Sequence, residues 1–114
     1  MRRHRNVKTV LRQIDGVSGD LRLRRLEWIA GERKSCTIYK EFGCIIKVDI
    51  ERCYFSPRLS HERMRIAQQV KPDETVVNMF AGAGSFSILI ACHSKAKKIY
   101  SIDINPVAVK LMQE

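Results

Sequence analysis

The chain has 114 residues, 45% of them apolar, which is enough for one modest domain with a hydrophobic core. Its longest apolar stretch, near Phe86 to Cys92, is too short to cross a bilayer, and nothing at its N-terminus resembles a secretion signal. We therefore expect a cytoplasmic protein without a membrane-spanning segment.

Twenty-one Lys and Arg against twelve Asp and Glu give a formal charge of +9, which favours a polyanionic partner such as nucleic acid.

The cysteines show neither a C-x-x-C pair nor a histidine at zinc-binding spacing. In a reducing compartment such residues are most often small buried apolar side chains. The sequence therefore predicts no disulfide and no metal site among Cys36, Cys44, Cys53 and Cys92.

The first half of the chain is basic and rich in strand patterns. Leu21 to Arg24 alternates apolar with cationic residues, which predicts a strand carrying Arg22 and Arg24 on one face. Two further strands, Cys36 to Tyr39 and Ile46 to Ile50, form a predicted hairpin that turns through Glu41, Phe42 and Gly43. We interpret residues 1–52 as a small strand-rich basic domain, either a structural extension or a substrate-orienting module.

The second half, residues 53–114, has the pattern of an α/β fold. Ser60 is the expected cap of a first helix, and Thr75 to Phe80 has the composition of a strand buried on both faces. A helix from Ser85 to His93, a strand from Lys98 to Asp103, and a helix capped by Asn105 and Pro106 follow. This order predicts a βαβ unit with parallel strands. Two strands make an incomplete sheet, so we expect a piece of a longer protein or self-association.

A glycine turn between the first of these strands and its helix suggests a nucleoside site. Gly82 and Gly84 permit a tight turn and a close ligand approach, and Asp103 stands about twenty residues on, where an acid binds a ribose diol. Ser87 replaces the last glycine of the dinucleotide motif. The pattern therefore favours a nucleoside without a pyrophosphate, such as S-adenosylmethionine.

The polar segment from Tyr54 to Arg63 precedes this turn, and two interpretations of it remain open. Arg58 and Glu62 lie four residues apart near the start of the predicted helix, at the edge where α/β sheets bind ligands. The alternative is a surface ion pair that contributes little stability.

Three stretches, CYFSPRLSHERMRIA, VVNMFAGAGSFSI and YSIDINPVAV, resemble the archaeal and eukaryotic tRNA guanine N1-methyltransferases that modify position 37. The preceding segment resembles the small domain of that family. The resemblance implies the start of a Rossmann-like class I methyltransferase fold, S-adenosylmethionine as cofactor and tRNA as partner. The related wybutosine-pathway aminocarboxypropyl transferases carry FSPGN in this loop, so Arg58 favours methyl transfer.

The resemblance also implies roles for individual residues. Glu62 would accept the proton from guanine N1, and Arg22 would stabilise negative charge on O6, which is the chemistry that methylation of a weakly acidic nitrogen requires. Tyr54 and Arg58 would line the base and cofactor pocket. The expected cofactor-binding residues are Phe80, Gly82, Gly84, Asp103 and Asn78.

The sequence departs from the family in two respects. Asn78 stands where many members have aspartate, which puts cofactor affinity in doubt. The later N-P-P-x motif and the domain that contacts the tRNA elbow are absent from these 114 residues. We therefore expect the chain alone to lack appreciable methyltransferase activity. A non-catalytic basic RNA-binding module and an aminocarboxypropyl transferase are the alternatives.

Overall fold

A computed structural model of the chain describes residues 5–14, 16–17 and 19–114. Within these residues the strands are β1 (Thr9–Gln13), β2 (Leu26–Gly31), β3 (Cys36–Glu41), β4 (Cys44–Asp49), β5 (Thr75–Met79) and β6 (Lys98–Ile102). The helices are α1 (Ser60–Gln69), α2 (Ser85–His93) and α3 (Pro106–Gln113), and a short 3-10 helix (Pro57–Leu59) precedes α1. The strands pair as three two-stranded sheets, β1–β2, β3–β4 and β5–β6.

The predicted strand from Leu21 to Arg24 is wrong. Arg22 has a φ of 55° and lies in a turn, and β2 starts only at Leu26, where it pairs antiparallel with β1. The turn is closed by a hydrogen bond of 3.2 Å from the Arg22 N–H to the Gly19 carbonyl. A left-handed backbone at Arg22 breaks the alternation that a strand needs, so Arg22 and Arg24 do not share a strand face.

The predicted hairpin is confirmed, but its turn consists of Phe42 and Gly43 alone, because Glu41 is the last residue of β3 and β4 begins at Cys44. β3 and β4 pair antiparallel from Cys36 opposite Asp49 to Glu41 opposite Cys44. Phe42 and Gly43 have φ values of 46° and 78°, the left-handed pair that a tight two-residue hairpin turn requires.

The βαβ unit is confirmed, with β5 and β6 parallel and α2 between them in the chain. The prediction that β5 is buried on both faces is wrong, because Val77 is 59% exposed and Met79 is 65% exposed. Tyr100 and Ile102 of β6 are also exposed, so one face of this sheet is apolar and open within the described residues. The composition of β5 suits a strand covered on both sides, but these residues cover only one.

The core lies where the β3–β4 hairpin packs against α1 and α2. The buried cluster includes Ile46 and Val48 of β4, Ala67 of α1, and Leu89 and Ile90 of α2. Hydrophobic packing thus runs across residue 52. The division at that residue stays a prediction.

The start of α1 differs from the prediction in its cap. Ser60 is the first helical residue, but the capping position is Leu59, which has no side-chain hydrogen bond to the helix. The 3-10 turn that begins at Pro57 leads directly into α1 instead. At α3 the predicted cap is confirmed, since the Asn105 side chain accepts a hydrogen bond from the Val107 N–H at 3.1 Å.

The cysteines divide into two pairs. Cys44 and Cys53 are buried, and burial raises the pKa of each thiol to about 11, as expected of small apolar core residues. The prediction of burial is wrong for Cys36 and Cys92, which are exposed.

In the part of the chain that the structure describes, no helix is long and apolar enough to span a bilayer.

Candidate active site

A cavity of about 350 Å³ lies at the carboxyl edge of the β5–β6 sheet. Four segments form its walls: the turn at residues 19–22, the loop at 54–59, the glycine turn after β5, and the junction of β6 with α3. This is the edge at which open α/β sheets bind ligands.

The glycine turn projects an aromatic ring into this region. Phe80 has a φ of 59°, which is unfavourable for a bulky residue, and its side chain is 88% exposed. The pairing with β6 continues just past it, because the Ala81 N–H donates to the Ile102 carbonyl at 2.8 Å. The backbone strain at Phe80 is thus held by neighbouring structure, as is typical of a functional site.

Asp103 closes the turn on the β6 side. Its Oδ2 accepts a hydrogen bond from the Gly82 N–H at 2.8 Å, and its Oδ1 accepts one from the Asn105 N–H at 2.8 Å. A carboxylate has about four acceptor positions, so two remain for further donors such as a ribose diol. Asp103 is therefore fixed in orientation and still able to bind a ligand, which fits the nucleoside half of S-adenosylmethionine.

The two glycines of the turn have different functions in the structure. Gly82 lines the cavity and has a φ of 59°. Gly84 is buried and is not among the lining residues; a Cβ there would lie 2.6 Å from Met112 Cγ. Gly84 thus permits α3 to pack against the start of α2, and its predicted role at the cofactor stays a prediction.

Asn78 faces α2 rather than the cavity. Its Nδ2 donates to Ser87 Oγ at 2.8 Å, and Ser87 Oγ lies 2.6 Å from Ser101 Oγ. The amide thereby links β5, α2 and β6. Asn78 is not among the cavity-lining residues.

The structure brings Tyr54 and Arg22 to the cavity with Phe80, Gly82 and Asp103. The Arg24 guanidinium lies over the Tyr54 ring, 5.3 Å from its centroid, and donates to the Phe55 carbonyl at 2.9 Å. Arg24 therefore holds the loop that carries Tyr54, a contact that the strand interpretation of Leu21 to Arg24 missed.

Arg58 and Glu62 are exposed and are not among the lining residues. The Arg65 guanidinium binds both oxygens of Glu62, with Nε 2.9 Å from Oε2. Hydrogen bonding and charge attraction from Arg65 lower the pKa of Glu62. Leu59 and Arg63, which directly follow Arg58 and Glu62 in the chain, do line the cavity. The role of Glu62 as a base stays a prediction.

Two buried polar residues of the cavity were not predicted as site residues from the sequence. Arg63 is 1% exposed, binds Glu41 and donates to the Ser56 carbonyl at 3.0 Å. The Nδ2 of Asn105 donates to the Arg52 carbonyl at 2.6 Å. The signal for Arg63 was its position on the apolar face of α1, four residues before Ala67; Asn105 has no comparable signal beyond its cap.

A parallel βαβ unit with a glycine turn and an acid at the end of its second strand is the pattern typical of a nucleoside-binding α/β protein. The model of the TRM5/TYW2 methyltransferase domain matches residues 37–114. The chain belongs to this family, and its α/β part is the incomplete Rossmann-like start of a class I methyltransferase fold.

Two relatives show how closely the chain follows the family. It is 51% identical over 107 residues to the tRNA (guanine(37)-N(1))-methyltransferase Trm5b of Methanocaldococcus jannaschii, covering 94% of this chain and 31% of that protein. It superimposes on the aTrm5 of a complex with tRNALeu with a TM-score of 0.91 and 47% identity, covering 98% of this chain and 33% of that one. The chain thus spans about a third of the length of these relatives.

A solved structure from the other branch of the family contains the expected cofactor. The TYW2 of Methanocaldococcus jannaschii in complex with AdoMet is 38% identical to the chain, with a TM-score of 0.70. That match covers 77% of this chain and 40% of that protein.

Proposed function

We propose that the chain supplies the cofactor turn and part of the base pocket of a tRNA (guanine-N1)-methyltransferase acting at position 37. The observation that carries the proposal is the shared cavity of Arg22, Tyr54, Phe80, Gly82 and Asp103. Three of these residues belong to the nucleoside pattern and two to the predicted base pocket. The 51% identity to a methyltransferase of this specificity supports the same assignment.

S-adenosylmethionine supplies an electrophilic methyl group when bound. The Asp103 carboxylate would accept hydrogen bonds from the ribose hydroxyls, while the exposed Phe80 ring and the apolar Ile104 side chain, which line the same cavity, would provide surface for the adenine. Positioning of the methyl carbon against guanine N1 would supply much of the rate acceleration.

The guanine half of the reaction needs a proton acceptor and a cation. Arg22 lies in the cavity and can stabilise the charge that develops on O6. Glu62, whose neighbour Arg63 lines the cavity, would accept the N1 proton after its carboxylate leaves Arg65. Arg58 would line the same pocket after a corresponding movement of its exposed side chain.

The net charge of +9 supports tRNA as the partner, since phosphate neutralisation drives such binding. We also propose that the protein is cytoplasmic, in line with tRNA as its partner. The open apolar face of the β5–β6 sheet is consistent with association of this chain with a second copy.

A chimaera provides the experiment. The chain replaces the matching 107-residue segment of Methanocaldococcus jannaschii Trm5b, and the product is incubated with S-adenosylmethionine and a transcript containing guanosine 37. We expect mass spectrometry to show a methyl group at N1. A folded, cofactor-binding chimaera that adds an aminocarboxypropyl group or nothing would contradict the proposal.

Glu62→Gln in the chimaera tests the base assignment. Loss of a general base typically lowers turnover by 10²–10⁴-fold. We expect a fall of roughly that size with cofactor affinity changed less than about twofold, because Glu62 lies outside the cofactor turn. Equal losses of turnover and cofactor affinity would contradict the role.

A further inference from the structure

The turn between β1 and β2 carries two side chains of opposite charge that line the same cavity, Asp20 and Arg22. The hydrogen bond from the Arg22 N–H to the Gly19 carbonyl fixes both on one β-turn. Within residues 5–14, 16–17 and 19–114, neither the Asp20 carboxylate nor the Arg22 guanidinium has a hydrogen bond or ion pair. Both groups are therefore available to a ligand.

The same cavity presents aromatic surface beside this charged pair. Tyr54 is 43% exposed and lines the cavity with Asp20 and Arg22, while Phe80 is assigned to the adenine of the cofactor. Exposed aromatic rings stack on nucleobases without regard to sequence. The Tyr54 ring can thus stack on a flat base, whereas the charged pair can distinguish one base from another.

Guanine matches the pair in its hydrogen-bonding groups. Its 2-amino group is a donor and its O6 is an acceptor. A carboxylate only accepts and a guanidinium only donates, so Asp20 complements the amino group and Arg22 complements O6. Adenine lacks the 2-amino group and presents a 6-amino donor in place of O6. This donor would face the donor groups of Arg22, so no hydrogen bond could form.

We propose that Asp20 is the guanine-selecting residue of this site, accepting a hydrogen bond from the exocyclic 2-amino group while Arg22 donates to O6. The inference rests on the proposed function, because it takes the cavity to be the pocket of the target base. Asp20 is better placed for this contact than Glu62, whose carboxylate is held by Arg65 outside the cavity lining.

Guanosine and inosine monophosphates test this inference, since they differ only in the 2-amino group. The ¹⁵N-labelled chain is titrated with each nucleotide and the amide shifts around the cavity are followed by NMR. We expect guanosine monophosphate to bind at least about fivefold more tightly, the lower end for a specific base contact. Asp20→Ala should bring the two affinities to about the same value without weakening inosine monophosphate more than twofold.

Two further variants separate the competing explanations. Glu51→Ala also removes one exposed carboxylate but lies outside the cavity lining, so it should keep the preference for guanosine. Asp20→Asn keeps the shape of the turn, and it should reduce the preference even where Asp20→Ala disturbs the fold. A preference that survives both Asp20 variants, or that is lost in Glu62→Gln instead, would overturn the inference.

A titration with S-adenosylmethionine distinguishes failure of this inference from failure of the proposed function. Cavity shifts with the cofactor, but equal or absent binding of the two nucleotides, would reject Asp20 as the selecting residue and leave the cofactor site standing. Absence of cavity shifts with all three ligands would reject both.

Discussion

Arg63 of α1 and Glu41 of β3 form a buried two-pronged ion pair, with Nη2 2.7 Å from Oε2 and Nε 2.5 Å from Oε1. The guanidinium also lies over the Phe55 ring, 5.1 Å from its centroid, and reaches the Ser56 carbonyl. One side chain thus connects the hairpin, the first helix and the loop that carries Tyr54. The loop that carries Tyr54 forms one wall of the cavity, so the position of that wall depends on a buried ion pair of the core.

Breaking this pair should destabilise the chain strongly. Glu41→Gln leaves the Arg63 charge buried and only partly compensated, and removal of one partner from a buried pair typically costs about 3–5 kcal/mol. We expect a loss of about 3 kcal/mol in the free energy of unfolding, measured by urea denaturation. Glu27→Gln, which disrupts the exposed pair with Arg12, should cost less than about 1 kcal/mol. Similar losses of unfolding free energy in the two variants would show that burial does not determine how much each ion pair contributes to stability.

Gly84 and Gly43 form a matched pair for testing the packing of the glycine turn. Both have left-handed φ values, 82° and 78°, but a Cβ at Gly43 meets no atom within 4 Å whereas one at Gly84 meets Met112. Gly43→Ala should cost about 1–2 kcal/mol for backbone strain alone. Gly84→Ala should cost at least about 1 kcal/mol more, because overpacking is added.

Met112→Ala provides the rescue experiment for that steric effect. Combined with Gly84→Ala, it should remove the additional cost, as shown by a double-mutant cycle in urea. Additive losses from the two substitutions would mean that Met112 does not contact the new methyl group.

The ion pair with Arg65 lowers the pKa of the exposed Glu62 carboxyl. Because Arg65 lowers the pKa of Glu62, the carboxylate stays charged to a lower pH in the folded chain than it would alone, and any stabilisation from the pair is lost as pH falls through that lowered pKa. Arg65→Gln should therefore raise the Glu62 pKa toward its ordinary value, as measured by NMR titration of the side-chain carboxyl. The Glu114 carboxyl, which pairs with Lys47, should titrate as before. An unchanged Glu62 pKa would show that the pair does not persist in solution.

Asn78→Asp tests whether the family's aspartate matters to the cofactor in this chain. The Asn78 side chain bonds Ser87, and hydroxyl groups can reverse their donor direction to suit a carboxylate. We expect adenosylmethionine affinity, measured by NMR titration, to change less than about twofold. A tenfold gain would mean that the side chain at this position reaches the cofactor.

Local patterns predicted the elements that local chemistry determines. The glycine at Gly43 indicated the hairpin turn, Asn105 followed by Pro106 indicated the start of α3, and β-branched runs indicated the parallel strands. The Leu21 to Arg24 alternation failed because the left-handed backbone at Arg22 has no signal in a pattern of apolar and charged residues.

The sequence predicted the cavity better than the side chains around it. Strand ends and the glycine turn share an edge by topology, so Gly82 and Asp103 came together as expected. Arg63 and Glu62 are neighbours in the chain, yet one is buried against Glu41 and the other is exposed with Arg65. Arg63 is buried because it pairs with Glu41, which lies 22 residues away in the chain. Residue spacing within the helix does not reveal such a distant partner.

The central claim is that the glycine turn and Asp103 bind the nucleoside of S-adenosylmethionine, and NMR titration of the ¹⁵N-labelled chain tests it most directly. We predict that the cofactor shifts the amides of Phe80, Gly82 and Asn105, and that Asp103→Ala abolishes these shifts while Asp73→Asn leaves them unchanged. Shifts confined to other parts of the chain, or a response in Asp103→Ala equal to that of the wild type, would contradict the claim.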